Sequence, residues 1–264
     1  MESLEKSDLN SVTALQPEGW QDITPIICFY IKSSFCFPIK VTVEKKIAGI
    51  GIAIIHNDVA WLAHIIVHPD NRNKGIGKLI TQFLVDEARA KDCDTIYLIA
   101  TDLGEPVYKN LGFETETEYL FFKDIRPNES WRMSENIVAF ADDFKTQVAG
   151  LDKQVSGEER LLHLAQYLEG AFVYLQNNVV EGFYLPAFGE GLIVANTTTA
   201  GIELMKLRLA TKDNAAFPAD NVSATAFMHQ NNFKEFRRAK RMKLGIKREW
   251  QPESFYNRIG GNLG

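Results

Sequence analysis

Arg72, Lys74 and Lys78 crowd around Gly75 and Gly77 in the stretch Val-His-Pro-Asp-Asn-Arg-Asn-Lys-Gly-Ile-Gly-Lys-Leu over residues 67–79. This is chemistry for holding an anion. Amides at a helix start carry partial positive charge, glycines let the backbone approach an anion without a side chain between, and the cations neutralise a diphosphate. The stretch is not a nucleotide P-loop, because it lacks the Gly-Lys-Ser/Thr ending whose hydroxyl binds a metal. A dinucleotide fingerprint would need a third glycine and a later ribose-binding carboxylate.

The flanking residues define what must position this loop. Residues 59–67, Val-Ala-Trp-Leu-Ala-His-Ile-Ile-Val, are apolar on both alternating faces, the pattern of a strand inside a covered sheet. Ile76, Leu79, Ile80, Phe83, Leu84 and Ala88 follow helical spacing, so the glycines stand at a strand-to-helix junction. Upstream, the pattern predicts helices over 9–15 and 23–33, a strand over 41–43, a turn over 44–46 and a strand over 47–55. Downstream it predicts a helix over 76–91, a strand over 95–100, a short helix bearing Tyr108 and ending at Gly112, and a strand over 113–123.

The spacing Arg-x-x-Gly-x-Gly, entered from Val-His-Pro at such a junction and in this order of elements, resembles the acetyl-CoA signature of the GNAT N-acetyltransferase superfamily. The resemblance covers residues 1–123. It implies acetyl-CoA as co-substrate and no metal. It implies that the main chain of Ile66 and Val67 pairs with the pantetheine arm like an added strand, and that Arg72, Asn73, Lys74, Gly75, Ile76, Gly77 and Lys78 surround the pyrophosphate. Tyr108, five residues before Phe113, stands where the family commonly keeps a tyrosine whose hydroxyl reaches the CoA sulfur. That gives Tyr108 the role of general acid, against a plain packing role in the core. The general base is not evident. His64 titrates in the right range, yet beside Ala63 and Ile65 it reads first as a core residue, and His68 before Pro69 reads as part of a turn.

Residues 124–134, with Pro127, Asn128 and Glu129, read as a linker, and the pattern then repeats. Helical spacing over 158–168 leads to strands at 171–175, 179–185 and 191–195, a helix over 201–209, a strand near 215–217, a helix over 221–231 and a strand from Phe233. The expected fold is therefore α/β (α+β): two tandem GNAT-like domains, 1–123 and 135–264, each a mixed, mainly antiparallel sheet flanked by helices. The second copy's loop, Asn196-Thr-Thr-Thr-Ala-Gly-Ile-Glu203, carries no Arg or Lys and puts Glu203 where the first copy has Gly77. A carboxylate there repels a diphosphate. One CoA per chain is the expectation, with the second copy walling a substrate pocket or serving structure alone.

With 264 residues, 45% hydrophobic and 24% charged, the chain has ample material for buried cores. A net charge of −5 argues against wholesale nucleic-acid binding. The dense basic run from Lys234 to Arg248 alternates with Met242, Leu244 and Ile246, as in a strand with one solvated face; the other reading is a patch for an acidic partner. Cys28, Cys36 and Cys93 have neither metal-ligand nor redox spacing. No apolar run reaches membrane-spanning length and the first residues do not form a signal peptide, so a cytoplasmic location without membrane attachment is expected. The expected function is transfer of an acetyl group to a primary amine, on a small molecule or a peptide, by direct attack on the thioester. The alternative is a non-catalytic acyl-CoA sensor or substrate-binding module of the same fold.

Overall fold

The computed structural model describes residues 1–126, 128 and 131–264. In chain order the first half runs β1 (Glu2–Ser3), α1 (Leu9–Val12), α2 (Thr24–Lys32), β2 (Cys36–Val43), β3 (Lys46–His56), β4 (Val59–Val67), α3 (Ile76–Ala90), β5 (Thr95–Ala100), α4 (Glu105–Lys109) and β6 (Glu114–Phe122). The second half runs β7 (Ile137–Ala139), α5 (Lys145–Ser156), α6 (Leu161–Leu164), β8 (Phe172–Gln176), β9 (Val179–Leu185), β10 (Leu192–Ala195), α7 (Thr198–Leu209), β11 (Ala215–Pro218), α8 (Val222–Gln230), β12 (Glu235–Gly245) and β13 (Phe255–Asn257). From β8 to β12 the order repeats that of β2 to β6. Part of the expected linker, at Pro127, Glu129 and Ser130, lies outside the described residues.

One strand and one helix read differently in the structure than in the sequence. Strand β2 starts at Cys36, not at Val41, because Cys36, Phe37 and Pro38 already stand opposite Ile54, Ala53 and Ile52 of β3. The helix expected over 158–168 is reduced to the single turn α6, and the long helix of this region, α5, lies earlier. Gly157, at φ 70°, caps α5, and Asp152 inside it forms a paired bridge to Arg160 with both side chains 2% exposed. Burying those polar groups breaks the apolar periodicity that a sequence reading depends on.

Two compact units emerge, and neither is continuous in sequence. The first comprises Met1–Thr115 with Arg241–Lys247 and Gly261–Leu263, and the second holds Glu116–Lys240 with Arg248–Gly260 and Gly264. These differ from the ranges 1–123 and 135–264, since the chain's end returns to the first unit. In that unit β1 to β5 lie side by side, antiparallel except for the parallel pair β4–β5, and the last residues of β12 follow β5. The crossing is tight: Ile246 N–H donates to Asp94 O at 3.0 Å and Thr95 Oγ1 donates to Ile246 O at 3.0 Å. A side chain at Gly245, φ 96°, would run into the Asp94 carbonyl. Helix α3 packs its buried stripe of Ile76, Ile80, Leu84, Val85 and Ala88 in one cluster with Ala53, Ala60, Leu62 and Leu98 of the sheet.

In the second unit β11 pairs with β6 through Ala215 opposite Phe122 to Pro218 opposite Tyr119, and a five-stranded sheet runs β13-β10-β9-β8-β7. Helix α7 packs Ala200, Leu204, Met205 and Leu209 with Tyr184, Ile193 and Ala195. Two strands here, β7 and β13, have no counterpart in the sequence reading. Both are three residues long, too short to show a period.

Candidate functional site

Strand β4 carries a bulge. Ile50 stands opposite Ile66 and Ile52 opposite Ala63, so Gly51 faces both His64 and Ile65, and His64 takes a left-handed φ of 46°. On the other side β4 pairs with β5 only from Val59 opposite Thr95 to Leu62 opposite Leu98. Past Leu62 the two strands part. His68 N–H bonds to Ala48 O on β3 at 2.8 Å, so the main chain of Val67, one residue back, faces the parted side.

The loop that follows is pinned by its own atoms. His68 caps the 3-10 turn Pro69–Asn71, its Nδ1 accepting from Asp70 N–H at 3.3 Å. Arg72 Nε donates to Val67 O at 3.3 Å and Lys74 Nζ to Asp70 O at 2.8 Å. Asn73 at φ 59° and Gly75 at φ 80° then turn the chain into α3, and no side chain caps the helix. The first helical bond in the capping turn runs from Leu79 N–H to Gly75 O at 3.0 Å. The amides of Ile76, Gly77 and Lys78 precede it, and these are the donors a helix start leaves for an outside acceptor. Among the described residues Arg72, Lys74 and Lys78 form no ion pair, and all three are exposed. The sequence reading named Ile66 and Val67 on this strand and Arg72, Asn73, Lys74, Gly75, Ile76, Gly77 and Lys78 at the helix start; the alternation that turns the main chain of Val67 to the parted side turns that of Ile66 toward β3, opposite Ile50.

Tyr108 lies on α4, 8% exposed, in the same apolar cluster as Ile76, with its ring edge-on to Phe113 at 6.0 Å. Burial pushes its phenol up to about 12, so it keeps its proton at any physiological pH. His64 is the site residue whose surroundings sequence reasoning missed. Tyr30 Oη on α2 lies 3.3 Å from His64 Nδ1, the Trp20 ring stands edge-on at 6.0 Å, and burial pushes the imidazole down to about 4. Its positive φ leaves no mark in the sequence.

The corresponding helix start in the second unit is closed. Thr197 caps α7, its Oγ1 accepting from Ala200 N–H at 3.3 Å and donating to Glu181 Oε2 at 2.8 Å. The ring of Tyr256 lies directly on Gly201, where any Cβ would collide with it. Glu203 is paired with Lys206 at 2.7 Å. The basic run near the end of the chain is largely spent on structure. Arg238 pairs with Glu235 and Glu118 at 2.8 and 3.0 Å, and Lys243 with Glu114 at 3.1 Å. Arg241, 2% exposed, lies over Tyr97 and Trp61 at 4.3 and 4.9 Å.

Comparison with known proteins finds relatives by sequence and by fold. The acetyltransferase (GNAT) family model matches residues 6–113. An uncharacterised N-acetyltransferase of Gracilaria tenuistipitata var. liui is 34% identical over 78 residues, which are 28% of this chain and 43% of that protein. The [ribosomal protein bS18]-alanine N-acetyltransferase of Salmonella typhimurium is 28% identical over 82 residues, 30% of this chain and 55% of that protein. The chain thus spans about half the length of the curated relatives it matches. In fold, a candidate acetyltransferase from Pyrococcus horikoshii superposes with TM-score 0.82 at 20% identity, covering 100% of this chain and 95% of its own. A tandem GNAT protein from the clavulanic acid biosynthesis pathway superposes with TM-score 0.62 at 11% identity, covering 94% and 98%. The chain has the mixed α/β GNAT fold, with two sheets flanked by helices, and residues 6–113 are a domain of the acetyltransferase (GNAT) family.

Proposed function

We propose that the chain is an acetyl-CoA-dependent N-acetyltransferase with its single cofactor site in the first unit. The observation that carries this is the uncapped start of α3. Three leading amides and three cations without ion-pair partners among the described residues stand at the end of a strand that has just left its neighbour. That set matches a diphosphate on a long flexible arm. Val67 offers main-chain groups toward the parted side for the arm, and the amides of Ile76, Gly77 and Lys78, with Arg72, Lys74 and Lys78, hold the phosphates. Bound there, acetyl-CoA supplies the acetyl group as an activated thioester.

The chain's own task is to align an uncharged amine with that thioester and to manage protons. As the C–N bond forms and the C–S bond breaks, Tyr108 gives its phenol proton to the departing sulfur, and the proton released by the amine passes to water, from which Tyr108 is reprotonated. Burial holds the Tyr108 phenol near 12, so it is still protonated when the sulfur departs and can supply the proton then. His64, held at about 4, is a poor base at neutral pH. The acceptor is an amine on a small molecule or a peptide end; the Salmonella relative is named for an alanine of a ribosomal protein.

The test pairs calorimetric titration of acetyl-CoA with a thiol-release assay across amino acids, polyamines and peptides. Binding with thiol release on at least one amine is the expected result. Tight binding with no release on any amine would leave the sensor reading, and no binding would remove both.

A further inference from the structure

Three residues distant in sequence meet at the bulge of β4 within the first unit. Tyr30 is fully buried on α2, and its Oη accepts a hydrogen bond from Asn262 Nδ2 at 3.0 Å. Asn262 arrives on the returning end of the chain, where neighbouring Leu263 is 5% exposed. A phenol has one proton to give, and a buried one must give it to an acceptor. His64 Nδ1, 3.3 Å from Tyr30 Oη, is placed to take it. A ring nitrogen that accepts carries no proton, which puts the imidazole's single proton on Nε2.

His64 also has a defined place along the proposed ligand. On that reading the phosphates would sit beyond Val67 and the arm would run back along the parted edge of β4 toward Leu62 opposite Leu98, where the strands rejoin. His64 is two residues from that junction, which would put it at the acyl end and not the phosphate end. The bulge, with φ 46°, turns this residue out of the regular alternation, and Tyr30 and Trp20 bracket its ring at 5.5 and 6.0 Å.

We infer that His64 is an uncharged N–H donor, its tautomer fixed by Tyr30 and Asn262, and that its Nε2–H hydrogen-bonds the acyl carbonyl oxygen instead of taking the amine's proton. This rests on the acetyl-CoA reading for the ligand alone. Tyr30 and Asn262 are positioning residues. The role resembles electrophilic assistance: a neutral donor aimed at an oxygen that gains negative charge in the transition state.

The first measurement is made on the free protein, by nitrogen-15 NMR of the histidine side chains near pH 7. The expected His64 pattern is a neutral ring protonated on Nε2; an Nδ1-protonated ring or an imidazolium overturns the inference. Asn262→Leu and Tyr30→Phe are expected to give mixed tautomers, and if Tyr30→Phe does not fold, the wild-type spectrum and Asn262→Leu still decide. The second measurement adds S-acetonyl-CoA, which carries a ketone, or S-propyl-CoA, which lacks the oxygen. The His64 Nε2–H resonance should move downfield with the ketone alone, and equal responses to both overturn the carbonyl contact. If neither analogue binds, the acetyl-CoA reading fails while the free-protein spectrum still judges the tautomer. In turnover, His64→Gln, which keeps an N–H donor, should retain activity within about 10-fold. His64→Glu, a base without a donor, should lose at least about 100-fold; the reverse order overturns the inference.

Discussion

The starts of α3 and α7 occupy the same step of a repeated element order, and they are built for opposite ends. At α3 a left-handed glycine stands at the cap position and, among the described residues, no side chain serves the amides and Arg72, Lys74 and Lys78 form no ion pair. At α7 a threonine serves Ala200 N–H, a carboxylate from β9 holds that threonine, and the Tyr256 ring covers Gly201. A helix start must satisfy its leading amides somehow. One unit does so with its own side chains; the other has no side-chain cap, which is what the proposed cofactor site requires. A shared element order therefore says little about function, and the two cap positions are where the units differ.

The broadest break in this comparison is to separate the halves. Residues 1–123 alone lack residues 241–247, which lie along β5, and Asn262, which bonds Tyr30. The expected result is loss of the folded state, seen as absent near-ultraviolet circular dichroism and no cooperative melting. A stable, active fragment would show that the returning strand is dispensable.

Gly77→Glu gives the first unit the second unit's charge. A Cβ at Gly77 meets only Val67 Cγ2, at an ordinary 3.7 Å, so the fold should hold and the melting temperature should change little. Bringing a carboxylate to about 4 Å from a phosphate costs about 4 kcal/mol at a half-buried surface, roughly a thousandfold in affinity. Calorimetry should find one CoA per wild-type chain and none per mutant chain at millimolar ligand. Two equivalent sites in the wild type would contradict the contrast between α3 and α7. Next in size, Tyr108→Phe should lower kcat about 100-fold while leaving CoA affinity nearly unchanged, because it removes a proton donor and keeps the ring that packs on Phe113.

The smallest effect is on stability against pH. His64 is held near 4 in the folded chain, below an ordinary value of 6.5. Below pH 6.5 the unfolded chain takes up a proton that the folded chain refuses, so stability falls as pH drops toward 4 and is fully present above 6.5. The loss is at most about 3 kcal/mol. Melting curves of wild type and His64→Gln from pH 7 to 4.5 should converge as pH falls, and parallel curves would show that His64 does not resist protonation.

Much of the first unit's site is legible in the sequence because its determinants are local. Arg72, Lys74, Gly75, Gly77 and Lys78 lie within a few residues of one another, and the periods of 59–67 and 76–88 fix a strand and a helix on either side. What escapes the sequence is set by distant partners. The Tyr256 ring reaches Gly201 from 55 residues away along the chain, and Asn262 reaches Tyr30 from 232. The bulge at His64 depends on the pairing of β3 with β4, which no single-strand pattern reveals. Helix α5 is hidden for a related reason, since buried Asp152 and Ser156 interrupt its apolar stripe.

The return of β12 to the first unit also sets a clock on the ribosome. Once residue 123 has emerged, β5 waits with a bare edge until residue 247 follows it out. At roughly 5–20 residues per second that interval is on the order of ten seconds, long compared with the closing of a small sheet. During it, the Thr95–Ala100 strand is a nascent edge of Ile, Tyr and Leu, open to pairing with another chain. The first unit, though encoded first, is completed only when its returning segments emerge, so chaperone demand during synthesis should track the distance between β5 and β12 rather than the length of either unit.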